Sequence, residues 1–248
     1  MTRRLLLALG LAAALVLPAG AAGAQELTLD LGGEEGTLTG QLFRLIALIT
    51  ILSVAPGILV VVTSFTRIVI VFSLLRSALG LQQTPPNMVI ISLALFLTAF
   101  IMGPTLEKAY DDGIAPLIAE EITEDEAFDR TVAPLRGFML NQVRESDLAL
   151  FMDMAEEPAA EAPEEISLRA LVPAFMVSEL RRAFEIGFLV FVPFLIIDMV
   201  VASILLSMGM MMLPPVMVSL PFKLIFFVLV DGWHMLAGSL VESFVFTP

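Results

Sequence analysis

Residues 186–240, IGFLVFVPFLIIDMVVASILLSMGMMMLPPVMVSLPFKLIFFVLVDGWHMLAGSL, are apolar almost throughout, yet they include Asp198, Lys223, Asp231 and His234. The stretch is long enough for two hydrocarbon-length helices, and the MGMMMLPP segment at 208–215 is the natural turn between them. An ionised side chain at the centre of a bilayer costs roughly 2.5–3.5 kcal/mol even on lenient scales. Such residues therefore face partners, a cavity or a pathway, and the chain is read as a membrane protein with a polar interior.

In an antiparallel hairpin, residues equally far from the turn lie at equal depth. The point midway between 198 and 223 falls on Met210-Met211. Asp198 and Lys223 are thus expected to face each other, each about twelve residues, or roughly 18 Å of helix, from a methionine-rich tip. That pairing can act around a pathway or serve only to register the hairpin. The tip contains Met208, Met210, Met211 and Met212. Their long, unbranched, polarizable side chains suit a deformable seal, or simply the packing of an apolar turn. Asp231 and His234, three apart, are expected to share a helix face, as a relay or as a partner-contacting or capping pair.

Working outward, the whole chain of 248 residues is 58% hydrophobic and 16% charged. Its mean hydropathy is +0.94. Both values belong to the membrane class. The formal net charge is −13, and residues 103–185 hold 19 acidic against 7 basic side chains. That balance excludes nucleic acid as a partner. There is no cysteine and one histidine, so no disulfide, metal site or cofactor is expected. No catalytic residue is expected either. A dyad of Asp198 and Asp231 is displaced by roughly 12 Å of helix, and His234 with Ser239 lacks an elbow motif and an orienting acid.

Residues 1–24 have Arg3-Arg4, an apolar run and small residues before Gln25, the pattern of a secretory signal peptide. Residues 25–41 read as a flexible acidic lead-in. Residues 42–102 form a first hydrophobic hairpin, with spans at 45–62 and 88–102. Between the spans, residues 63–87 carry Arg67 and Arg76 and no acid, which assigns that connection to the cytoplasm. Residues 103–185 are then an acidic periplasmic helical insert, with helices at 114–128 and 132–152 and an Ala/Pro linker at 156–165. Gly103-Pro104 and Pro85-Pro86 read as helix stops. Glu179, Arg181, Arg182 and Glu185 read as a solvated, self-paired helix start. Residues 186–248 form the second hydrophobic hairpin with its Met-rich loop.

Several idiosyncratic stretches carry a resemblance: TSFTRIVIV at 63–71, QQTPPN at 82–87, PLR and FML at 134–140, PAF and SEL at 173–180, IDMVVAS at 197–203 and SLPFK at 219–223. In these the chain resembles the FliP family, flagellar type III export-gate membrane proteins with counterparts in virulence secretion. The resemblance implies an all-α integral membrane protein of two helical hairpins with a helical periplasmic insert, assembling into an oligomeric cone. Implied partners are further copies of itself, FliQ-like and FliR-like gate subunits, other basal-body export proteins and unfolded protein substrates. It also implies residence in the bacterial inner membrane at the flagellar basal body, and a pore gasket at Met208, Met210, Met211 and Met212. Bent hairpins sheltered by neighbouring subunits also suit residues 42–80, too long for one upright span. The competing reading is a secondary ion or solute transporter with Asp198, Lys223, Asp231 and His234 as its relay. That reading calls for paired repeats, and the two hairpins show no internal similarity.

Overall fold

The computed structural model describes residues 38–156, 165–210 and 212–245. The proposed signal peptide, most of the lead-in, the middle of the acidic linker and Met211 lie outside them. Among the described residues every regular element is helical. They are α1 (Leu38–Val61), α2 (Phe65–Ala78), α3 (Asn87–Ala109), a π-helical turn (Tyr110–Ile114), α4 (Ala115–Ile118), α5 (Glu124–Gln142), α6 (Glu145–Met154), α7 (Leu168–Ser207), α8 (Pro215–Leu229) and α9 (Gly232–Val245). The chain divides into a unit ending at Ile51 and one starting at Leu52. The packing described below belongs to the second.

The centre of that unit is α2. Ile68, Val71, Phe72 and Leu75 recur at the spacing of one helical face and are all buried. Around them pack Ile90 and Ala94 of α3, Ala183 and Phe194 of α7, Phe227 of α8, and Leu236, Leu240 and Phe244 of α9. A smaller cluster of Met139, Leu171 and Phe175 joins α5 to α7. Residues 63–87 are therefore no surface connection. The first hairpin is α2 with α3, turned by residues 79–86.

Two registrations give the direction of α2. Arg67 meets Glu179, and a Cβ on Gly187 would lie 3.2 Å from Leu74 Cβ, so α2 and α7 run parallel. One end of the unit thus gathers the start of α2, the acidic helices α5 and α6 and the end of α9. The other end gathers the α2–α3 turn and the Met-rich turn, where a Cβ on Gly80 would lie 3.8 Å from the Val216 side chain.

Helix ends follow local chemistry. Thr123 accepts a hydrogen bond from the Glu126 amide, and Glu124, Asp125 and Glu126 fill the first turn of α5, where the dipole favours acids. Both α2 and α7 end in Schellman motifs at glycines in the left-handed region. Leu81 N donates to Arg76 O around Gly80, and Met210 N donates to Leu205 O around Gly209. Pro85-Pro86 is not a helix stop: α2 has already ended at Ala78, and Pro86 is the N-cap that opens α3. Pro104 does not stop its helix: α3 runs through it to Ala109, forgoing one backbone bond.

Two helical stretches, Asn87–Ile118 and Leu168–Ser207, are long and apolar enough to cross a membrane; α8 and α9 make a third if taken as one span bent by 62°. The 40 residues of α7 measure roughly 60 Å, twice a hydrocarbon core. No break separates residues 185 and 186. The span expected from 186 is the apolar half of a helix that begins at Leu168, because Ser167 caps it there by accepting from the Ala170 amide.

Candidate functional site

The apex of the second hairpin is built by a stop and a start. Gly209, at φ +75°, closes α7. Pro214 and Pro215 open α8, where a missing amide costs nothing. Between them Met208 and Met212 stand exposed, Met212 almost completely at 97%. Met210 is half-buried.

Below the apex, Lys223 is buried and Asp198 partly so. Lys223 Nζ donates to Asp198 Oδ2 at 2.6 Å and to the carbonyl of Ala78 at 2.9 Å. Ser219 Oγ donates to Asp198 Oδ1. Lys223 therefore satisfies a carboxylate on α7 and the terminal carbonyl of α2 together, tying the Met-tipped hairpin to the central helix. The residue that α2 contributes is a backbone atom, invisible to a search for charges.

His234 lies in the first turn of α9 and Asp231 immediately before that helix, the position of a cap. Asp231 occupies the break between α8 and α9, at φ +50°, a conformation that Asp tolerates better than most residues. Its carbonyl accepts from the Met235 amide, and its side chain is exposed, as is that of His234. Gly232 makes the bend possible: a Cβ there would sit 2.1 Å from the Phe227 ring. That ring is itself wedged edge-on against Trp233 at 5.4 Å. Asp198, Lys223, Asp231 and His234 form no connected chain of hydrogen bonds among the described residues. A relay would need one.

The most enclosed polar group was not singled out in the sequence. Arg67, with 1% of its side chain exposed, forms a bidentate pair with Glu179, which is wholly enclosed. Its Nε lies 2.9 Å from Glu179 Oε2. The guanidinium also donates to Gln142 Oε1 at 3.0 Å and to the Ser243 carbonyl at 3.1 Å. Phe244 stacks on it, 3.7 Å from ring centroid to Cζ. Arg182 donates to the same Gln142 oxygen, and Gln142 Nε2 donates to the Phe244 carbonyl. Four helices, α2, α5, α7 and α9, thus meet on one guanidinium. The planar five-donor fork of arginine allows this.

Two expectations change. Glu179 is not a solvated helix-start residue; only Arg181 and Glu185 form that exposed pair, at 2.9 Å. Arg67 is not a free surface cation marking the cytoplasmic side, because it is neutralised inside the protein by residues of the acidic half. The available signal was an arginine flanked by β-branched and aromatic residues, which needs a buried partner. Nothing local says that Glu179, more than a hundred positions away, is that partner.

A family profile described as the FliP family matches residues 48–240. Among curated relatives, a flagellar biosynthetic protein FliP of Caulobacter vibrioides is 56% identical over 229 residues, covering 92% of this chain and 86% of that protein. One of Bacillus subtilis is 55% identical over 81% of this chain and 91% of its own length. One of Aquifex aeolicus is 50% identical over 93% of this chain and 97% of its own.

Proposed function

The chain belongs to the FliP family, and from that premise we propose that it is a membrane-embedded subunit of a flagellar type III protein export gate, a structural component rather than an enzyme. Unfolded flagellar proteins pass from the cytoplasm through an assembly of several copies of this chain with FliQ-like and FliR-like subunits. The assembly stands in the inner membrane at the basal body, among other export proteins, with the acidic end of α5 and α6 on the periplasmic side. Oligomerisation into a cone is supported by the large apolar residues left exposed along α3, α7 and α8, among them Phe96, Phe188, Met199 and Phe222. Such a surface needs lipid or protein to cover it.

The single observation that carries the reading is the apex. Exposed thioethers project from a turn whose base is held by the Asp198–Lys223–Ala78 clamp, so the seal is soft and its mounting is rigid. In a ring of copies, methionine side chains give way to passing polypeptide sequences of many shapes and close behind them. The absence of cysteine from the chain supplies a clean test. A cysteine at Met210 should crosslink to an export substrate jammed in the gate. Its failure to do so, while a jammed substrate crosslinks elsewhere on the chain, would remove the apex from the path.

A further inference from the structure

Thioethers crowd at one place in this chain. Residues 208–212 contain four of the 14 methionines, and no other stretch of that length contains more than two. Met208, Met210 and Met212 are among the described residues, and two successive turns hold them. Met208 closes α7 with its amide on the Ile204 carbonyl. Met210 follows across Gly209 with its amide on the Leu205 carbonyl, and Met212 lies inside the next turn, which the Leu213 amide closes on the Met210 carbonyl. Residues two apart lie within about 7 Å of each other in any backbone conformation. Each methionine then has three rotatable bonds with which to bring its sulfur to a shared point.

Charge and softness decide what such a cluster suits. The charged residues nearest in sequence, Asp198 and Lys223, are bonded to each other, and Arg76 of the adjoining α2–α3 turn is engaged by Asn87. The tip is therefore neutral. It offers nothing to offset a divalent charge, and the hard cations take oxygen ligands rather than sulfur. Thioethers select copper(I), a soft monovalent ion. The absence of cysteine and the single histidine weigh against zinc, but copper(I) held by methionine needs neither. They also leave the tip without a rival soft site, since His234 stands beyond the α8–α9 break. Met208 at 65% exposure and Met212 at 97% are open to an arriving ion without any repacking of the core.

We propose that Met208, Met210 and Met212 form a three-thioether binding site for copper(I), and equally for silver(I), which shares its charge and softness. The site lies within one chain. It goes beyond the gate reading and does not depend on it.

The test is competition for copper(I) between the full chain in detergent and the chelator bicinchoninate, without oxygen. The wild-type chain should withdraw an equimolar amount. The triple variant Met208→Leu, Met210→Leu and Met212→Leu keeps the apolar bulk and loses the sulfurs, so it should bind at least roughly tenfold more weakly. Met88→Leu, Met154→Leu and Met235→Leu together remove three exposed but separated thioethers and should leave binding unchanged. Equal loss in the two variants, no loss in the first, or equal affinity for zinc(II) would each overturn the site. A second measurement needs no variant to fold: silver(I) is added to wild-type protein with isotope-labelled methionine methyls and followed by NMR. The signals of Met208, Met210 and Met212 should shift while those of Met88, Met154 and Met235 stay in place. Equal shifts at all six would mean adventitious binding only and sink the proposal. Specific binding together with failure of the Met210 crosslink would retain the metal site and remove the gate reading; the reverse result would remove the metal site alone.

Discussion

The two buried charge clusters differ in enclosure, and the difference decides how much each loses when a partner is removed. At the acidic end Arg67 and Glu179 are 1% and 0% exposed, and the guanidinium of α2 bonds to three further helices. Near the Met-rich apex Lys223 is 4% exposed but Asp198 is 25%, and the cluster joins three elements through one carboxylate, one hydroxyl and one backbone carbonyl. A buried charge stripped of its partner has nowhere to go, whereas a quarter-exposed one keeps other ways to be solvated. The first cluster therefore reads as the structural lock, and the second as the mount of the working tip.

The largest expected effect follows from that lock. Arg67→Ala or Glu179→Ala should each cost about 3–5 kcal/mol in urea unfolding of the detergent-solubilised protein. The exchanged pair should not recover this, because Gln142, the Ser243 carbonyl and the Phe244 ring all require a guanidinium where Arg67 stands. Recovery of half the loss on exchange would erase the contrast between the two clusters. Lys223→Ala, which strands the quarter-exposed Asp198, should cost less, about 1–3 kcal/mol, whereas Asp198→Ala strands the buried Lys223 and should approach the cost of the first cluster; both should impair gate assembly or export. Here the exchanged pair should partly restore function, and damage equal to that of a single loss would count against direct pairing as its role.

Gly232→Ala should cost about 1–3 kcal/mol by the same unfolding measurement, since the Phe227 ring it strikes is held by Trp233. Gly187→Ala should cost less, because the nearest atom it meets is the terminal methyl of Leu74. The smallest effect on stability belongs to the tip. Replacing the exposed Met208 and Met212 by alanine should change unfolding by under about 0.5 kcal/mol, as exposed substitutions do, yet raise ion conductance through assembled gates. Unchanged conductance would leave the methionines with no sealing role.

Much of this was legible before any fold was seen. The membrane class follows from composition, the all-helical fold from the family resemblance, and the facing of Asp198 and Lys223 from their distances to the turn, because a hairpin converts sequence spacing into depth. The Met-rich tip is legible for the same reason: proline and glycine mark the turn that presents it. Other features were misread because local rules stop at the next contact. Residues 65–78 look like an overlong continuation of a span, and they become the central helix only when four other helices surround them. Gly103-Pro104 carries the vocabulary of a stop, but the loss of a single backbone bond does not outweigh the rest of the helix, and α3 continues to Ala109. Asp231 and His234 have helical spacing, yet the helix breaks at Asp231 between α8 and α9, and Gly232 permits the bend by leaving room for the Phe227 ring.

By itself the sequence determined what the molecule must bury, where its chain must turn and which charges need company, since hydropathy, turn chemistry and the cost of desolvation act within a few residues. Only the tertiary structure decided who keeps that company. Glu179 reaches Arg67 across 112 positions, and Lys223 reaches a backbone carbonyl at Ala78 that carries no signature in side-chain chemistry. Partnership of that kind is set by the parallel packing of α2 on α7, a geometry that many apolar sequences share and only the assembled helices select.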